Sequence, residues 1–237
     1  MSFSFKQFTI QQDRCAMKVG TDGVLLGAWT SLENNPQTIL DIGAGTGLIA
    51  LMLAQRSNAE QIDAIEIDED AYEQCVENFE NSPWADRLFC FHASLDEFAE
   101  EPEDEKYDLI VSNPPYFVPN ENELIPENRK KARFNDSLPF EDLVGYASQL
   151  LSEAGELVVV IPFAEEEKVI VLANANKLFP YRITRVRGTA TAPIKRSLLQ
   201  FSFTKQNLEV NELILEISRH EYTQDFKELV QEFYLKL

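Results

Sequence analysis

Between Thr38 and Pro162 short apolar runs alternate with longer segments in which apolar residues recur every three or four positions. That is the pattern of strands joined by crossover helices. It predicts strands at Thr38–Ile42, Gln61–Ile67, Leu88–Phe91, Tyr107–Val111 and Glu156–Ile161, with helices at Leu48–Gln55, Glu69–Glu80, Leu95–Ala99 and Phe140–Ser152. The strand runs are too uniformly apolar to leave one face wet, so a mostly parallel sheet with helices on both faces fits best. Arg182–Arg187, a Gly188–Pro193 turn and Leu198–Thr204 follow as a terminal antiparallel hairpin, completing seven strands of an α/β fold. The alternating run Leu208–Ser218 reads as a further strand candidate and Phe226–Tyr234 as a closing helix.

Two segments break the rhythm. Residues 1–37 are too few for an independent domain and are expected to form an N-terminal lid or flap packed on the core, residues 38–237 being the main domain. Phe117–Pro139 is a long polar insertion containing Pro119, Pro126 and Pro139. Loops of that length inside a compact α/β domain are usually functional or disordered.

Composition narrows the class. With 237 residues, 44% of them apolar, the chain can bury a core, which argues against a disordered acidic protein. Cys15, Cys75 and Cys90 lack metal-ligand spacing and read as thiols of a reducing cytoplasm, and His92 and His220 stand isolated, so no metal site is expected. The apolar stretch Leu48–Ala54 is far short of a bilayer, and the first residues lack a signal-peptide pattern, so the expected location is cytoplasmic without membrane contact. The net charge of −19 argues, as a sum, against nucleic acid.

The chemistry concentrates at the ends of the predicted strands. Asp41-Ile-Gly43-Ala44-Gly45-Thr-Gly47 follows the first core strand and opens a helix, so backbone N–H groups can approach a ligand closely. Its G-x-G-x-G spacing is one residue tighter than the dinucleotide fingerprint, which argues against a pyrophosphate. Glu66, ending the next strand, is placed where a carboxylate accepts hydrogen bonds from ribose hydroxyls. A glycine turn with a solvated acid beside it is the plainer alternative, but loop and acid in this order favour a nucleoside ligand. Asn113-Pro114-Pro115-Tyr116 then ends the fourth strand, on the edge where open α/β sheets bind ligands.

These residues resemble the Rossmann-like class I S-adenosylmethionine-dependent methyltransferases of the N-P-P-Y group, which act on planar exocyclic or amide nitrogens. The resemblance implies that Asp41 and the backbone of Gly43, Ala44 and Gly45 contact S-adenosylmethionine, that Glu66 holds the ribose, and that Ile67 packs on the adenine. Ser94 stands where many relatives carry an adenine-reading Asp, with the Leu95 N–H beside it. An adenine amino group is a poor nucleophile because its lone pair is delocalised into the ring. The Asn113 side-chain oxygen and the Pro114 carbonyl can each accept one amino hydrogen and aim that lone pair at the cofactor methyl. The Pro-Pro pair stiffens these acceptors, which stabilise the positive charge developing on nitrogen. Tyr116 and Phe117 offer stacking faces.

Further segments, Phe5–Trp29, Pro139-Phe140, Tyr146-Ala147, Lys195-Arg196 and Tyr222–Lys236, narrow the resemblance to the valine-tRNA adenine-37 N6-methyltransferase family over essentially the whole chain. That implies methylation of N6 of an adenine near a tRNA anticodon, with no obligate protein partner evident, and Lys18, Thr21 and Asp22 capping the cofactor pocket. Thr21-Asp22 also reads as a helix N-cap. Charge distribution bears on the RNA: Lys168–Lys205 holds eight basic and no acidic residues, and Arg129, Lys130, Lys131 and Arg133 cluster in the insertion. With Lys195 and Arg196 these are candidate phosphate contacts around a flipped base, the alternative being ordinary solvated charge. Another RNA, DNA or a protein glutamine as acceptor, or a non-catalytic cofactor-dependent RNA-binding protein, are the competing readings.

Overall fold

The computed structural model describes residues 2–100, 106–115 and 138–236. Twelve strands and seven α-helices are found among them. A short hairpin, β1 (Ser2–Ser4) and β2 (Thr9–Gln11), precedes α1 (Thr21–Trp29). Strands β3 (Thr38–Ile42), β4 (Gln61–Glu66) and β5 (Leu88–His92) then alternate with α2 (Leu48–Arg56), α3 (Glu69–Glu80) and α4 (Leu95–Glu100). Next come β6 (Tyr107–Ser112), α5 (Phe140–Leu150), β7 (Leu151–Pro162), a 3-10 turn (Phe163–Glu165) and α6 (Glu166–Ala175). Strands β8 (Phe179–Arg187), β9 (Ile194–Ser202) and β10 (Glu209–Ile214), a two-stranded ribbon, β11 (Glu216–Ser218) with β12 (Glu221–Tyr222), and α7 (Gln224–Val230) complete the order.

The main sheet runs β10-β8-β9-β7-β6-β3-β4-β5, with β9 alone antiparallel to its neighbours. It has eight described strands where seven are expected, because the alternating 208–218 run pairs in parallel with β8 through Glu209–Ile214. The periodicity also misplaces boundaries: β8 and β9 begin at Phe179 and Ile194 rather than at Arg182 and Leu198, and β9 ends at Ser202. Strand β7 starts at Leu151, directly at the end of α5, rather than at Glu156, and the closing helix is Gln224–Val230. Helix α1 has Gly20 at its N-cap with no side-chain cap bond, so Thr21-Asp22 lies inside the first turn.

Both faces of the central strands are buried, as their composition requires. In β7, Val158 and Val160 join the core beneath α1, α2 and α3, while Leu157, Val159 and Ile161 join that beneath α5 and α6. Residues 2–37 belong to the first of these cores through Phe5, Phe8, Ile10 and the buried face of α1. Helix α1 lies hard against α2: a Cβ on Gly27 would sit 2.8 Å from the Met52 sulfur. Phe3 and Phe5 meet Tyr234, and the Lys6 N–H donates to the Phe233 carbonyl at 2.8 Å, so the first and last described segments are joined. Among the described residues no helix is long and apolar enough to cross a membrane.

Away from the C-terminal strand ends, a cavity of about 870 Å³ is lined by residues including Trp29, Thr30, Arg56 and Arg182. Arg56 donates to the carbonyls of Gly27 and Thr30, and Arg182 donates to that of Trp29. Both arginines therefore satisfy orphan carbonyls at the end of α1.

Candidate active site

The chain builds β3, β4 and β5 outward in one direction and β6, β7 in the other, so the sheet order reverses between β3 and β6. The crevice at that reversal, at the C-terminal strand ends, is where open α/β sheets take ligands. The glycine loop leaves β3 there, Glu66 ends β4 beside it, and Asn113 leaves β6 on the other side. Ser112 ties the two sides together by donating its hydroxyl to the Ile42 carbonyl at 2.8 Å.

Gly43, Gly45 and Gly47 all have positive φ, at 73°, 56° and 77°. A Cβ on Gly43 or Gly45 would meet nothing within 4 Å, leaving backbone open to a ligand, whereas one on Gly47 would lie 2.5 Å from the Phe79 ring and 2.9 Å from Cys75 Sγ. The three glycines thus serve two purposes: an accessible cradle and tight packing on α3. The N–H groups of Gly43 and Ala44 donate to the Ile65 carbonyl, and the Gly45 N–H donates to Glu66 Oε2 at 2.8 Å. Glu66 Oε1 accepts from the Asp68 N–H at 2.9 Å. Each carboxylate oxygen keeps acceptor capacity beyond its backbone bond.

Asp41 lies fully buried behind the loop. Its Oδ2 accepts from the Ala50 N–H at 3.1 Å, capping α2 in place of the missing side chain at Gly47, and its Oδ1 has no hydrogen-bond partner. Burial pushes its pKa up to about 7, with the Ala50 bond opposing and the Glu66 charge adding to the rise.

Asn113 is half-buried, Pro114 buried and Pro115 exposed. A Cβ on Gly23 would lie 4.0 Å from Asn113 Nδ2, which sets the amide beside the start of α1. Asp22, one residue earlier, accepts from Arg196 Nε at 2.7 Å. Lys18 and Thr21 are exposed nearby in sequence, and Lys195 is exposed at the start of β9. Ile67 is 60% exposed, and its carbonyl contacts His92 Nε2 at 3.0 Å, with Tyr72 stacked on that imidazole. Tyr116, Phe117, Arg129, Lys130, Lys131 and Arg133 lie outside the described residues. Among the described residues no cluster of His, Cys, Asp and Glu could hold a metal.

Two groups of expected residues also have partners within the chain. The Ser94 N–H and hydroxyl both donate to Glu97 Oε2, at 3.1 and 2.8 Å, so Ser94 caps the start of α4 while its oxygen keeps acceptor capacity, and Leu95 is the buried first residue of that helix. The run Ser94-Leu95-Asp96-Glu97 carries the capping-box signature. Half of the eight basic residues between Lys168 and Lys205 meet carboxylates: Lys168 pairs with Glu141, Arg185 with Glu166, Arg187 with Glu212 and Arg196 with Asp22. Counting charge along the chain misses these partners because all four pairs are tertiary.

The sequence reading also misses Gln74 and Asn78. Both are buried on the apolar stripe of α3, four residues apart, beside Ala71, Cys75 and Phe79. Asn78 accepts the Gln11 N–H and donates to the carbonyls of Gln11 and Thr46, and Gln74 accepts the N–H groups of Asp13 and Arg14. The segment before α1 is thereby fixed to the helix that backs the glycine loop. Cys15 in this segment is buried near Glu66 and Asp68, and desolvation first, then their charges, pushes its thiol up to about 11. Amides on an apolar stripe were the available signal.

The family model described as the methyltransferase small domain matches residues 24–175. A relative from Christiangramia forsetii named "tRNA1(Val) (adenine(37)-N6)-methyltransferase" is 64% identical over 99% of this chain and 98% of its own length. One of the same name from Bacteroides fragilis is 46% identical over 99% and 98%. Among solved structures, a predicted O-methyltransferase from Agrobacterium tumefaciens superposes with a TM-score of 0.69 at 18% identity, covering 90% of this chain and 96% of that one, a likeness of fold.

Two outcomes are expected. Gly47→Ala should destabilise the chain by about 3 kcal/mol, from overpacking and backbone strain, and Gly45→Ala by about 1 kcal/mol with a larger loss of ligand affinity. Chemical denaturation and calorimetric titration would separate them; equal stability losses would refute the division of roles. Because the folded pKa of Asp41, about 7, lies above its ordinary 3.8, the folded chain binds this proton more tightly than the unfolded chain. Stability from this group is fully present below about pH 4 and is lost as pH rises through about 7. The melting temperature of ligand-free parent should therefore fall relative to Asp41→Asn across that window and stay level above it.

Proposed function

The chain belongs to the methyltransferase small domain family, and from that premise we propose that it transfers a methyl group from S-adenosylmethionine to N6 of adenine 37 in a valine tRNA. The observation that carries the reading is the 64% identity to a tRNA1(Val) (adenine(37)-N6)-methyltransferase over nearly the whole of both chains. The open backbone at Gly43 and Gly45, beside a carboxylate with spare acceptor capacity, suits a nucleoside cofactor. S-adenosylmethionine supplies an electrophilic methyl group on a sulfonium.

In this reading the backbone of Gly43, Ala44 and Gly45 lies along the cofactor, Glu66 accepts its ribose hydroxyls, and Asp41 holds the loop from behind. Ile67 covers the adenine. The Ser94 oxygen, whose hydrogen goes to Glu97, accepts from the adenine amino group, and the Leu95 N–H donates toward the ring. Lys18 meets the methionine carboxylate. Thr21 and Asp22 close the pocket from the start of α1, and residues 1–37 act as its cover, fastened by Gln74 and Asn78.

The Asn113 side-chain oxygen and the Pro114 carbonyl accept the two amino hydrogens of the target adenine, with Tyr116 stacking on its ring. Positive charge building on nitrogen is stabilised by these fixed acceptors, and the proton is shed to water after transfer. Phosphates fall to Lys195 and to Arg129, Lys130, Lys131 and Arg133, with Phe117 as a second stacking face; Arg196 contributes while held by Asp22. The enzyme works in the cytoplasm on the anticodon region of tRNA.

Incubation with labelled S-adenosylmethionine and unmodified total tRNA, followed by nuclease digestion and mass spectrometry, should give N6-methyladenosine at position 37 of a valine tRNA. Label in DNA, in a protein glutamine or at another tRNA position would overturn the assignment. Asn113→Ala should lower turnover at least a hundredfold with cofactor affinity within threefold of the parent.

A further inference from the structure

Phe163 enters neither the motif nor the cofactor pocket, yet the strand register brings it to the catalytic edge. Ser112 pairs with Val159, so Asn113–Pro115 leaves β6 beside the last residues of β7. Pro162, the end of β7, pairs on its other side with Arg196 of β9. Phe163 therefore emerges between the Asn113 motif and the Lys195-Arg196 pair. Its side chain remains 36% exposed.

The ring is backed by a fixture. The Arg185 guanidinium carbon lies 5.4 Å from the ring centroid, within cation–π range. Arg185 is gripped by Glu166, Nε reaching both carboxylate oxygens at 3.2 Å and Nη2 reaching Oε1 at 2.7 Å. Glu166, itself buried, also accepts the hydroxyl of fully buried Ser197. Three strand and helix ends thus converge to hold one cation against one exposed aromatic ring. An isolated exposed Phe needs no explanation; one braced in this way, between the Asn113 motif and the exposed Lys195, does.

We propose that Phe163 is a stacking platform for the nucleobase adjacent to the target adenine, with Glu166, Arg185 and Ser197 as positioning residues. The inference rests on the tRNA reading above and extends it to a residue that selects how the RNA is presented. Neighbouring strands stand about 4.8 Å apart, so a ring rooted one strand from the acceptors meets a neighbour of the base whose amino group they hold. Stacking tolerates any base, and the exposed Lys195 supplies attraction for the adjoining phosphate.

Full-length Phe163→Ala and Phe163→Leu are expected to lower kcat/KM for unmodified tRNA by about ten- to a hundredfold, mainly through KM. Phe163→Tyr should stay within threefold of the parent. Cofactor affinity and melting temperature should be unchanged in all three, which a merely structural role would not allow. Glu166→Gln should raise KM for tRNA in the parent and add nothing in the Phe163→Ala background. A substrate abasic at the nucleotide next to the target supplies the decisive cycle: parent enzyme should lose activity on it, and Phe163→Ala should lose no more. Phe163→Ala within twofold of an active parent, or additive losses with both neighbouring abasic substrates, would overturn the platform alone. A parent that does not methylate tRNA would instead overturn the acceptor assignment, and the platform with it.

Discussion

Helix α2 starts deep in the molecule with a glycine at its N-cap, and the acceptor its first turn needs comes from Asp41, on the strand before the loop. That bond fixes how β3 turns into α2, and the turn fixes the rest of the cofactor edge. Since Gly47 must pack on Phe79, the side chain that would ordinarily cap the helix has no room. The carboxylate is moved to the strand, where burial holds it close to neutrality. Gly43 and Gly45 are then left with backbone facing outward, and Glu66 pins the loop from the neighbouring strand. Packing behind the loop and accessibility in front of it are one constraint met from two sides.

The charge of −19 acquires a structural meaning through its pairings. Arginines near the catalytic edge are matched by Asp22, Glu166 and Glu212 from other elements. These pairs bring helix and strand ends together more than they advertise a polyanion site. On this edge Arg185, Arg187 and Arg196 thus share their charge with carboxylates, while Lys195 stands exposed.

Much of this was legible in the sequence, and the boundary of legibility is physical. The doubly buried strands, the helix at Glu69–Glu80, the glycine loop and the placement of Asn113 all follow from local periodicity and turn chemistry. What escaped depends on partners far away in the chain. Asn78 serves Gln11 and Thr46, Arg196 serves Asp22, and Phe163 is significant only through the register of β7 with β6 and β9. Ser94 is different: its capping box with Glu97 lies within four residues and is legible from the local rule.

The junction of Phe3, Phe5 and Lys6 with Phe233 and Tyr234 has a consequence for synthesis. The Lys6 side chain donates to the Gln231 carbonyl across a separation of 225 residues, so the opening hairpin cannot settle until the last helix has left the ribosome. Contacts of such span are late events in folding, after local structure has formed. Asp13 and Arg14, which follow that hairpin, are held to α3 by Gln74. A nascent chain can therefore carry a formed sheet and glycine loop while its opening hairpin is still unfastened.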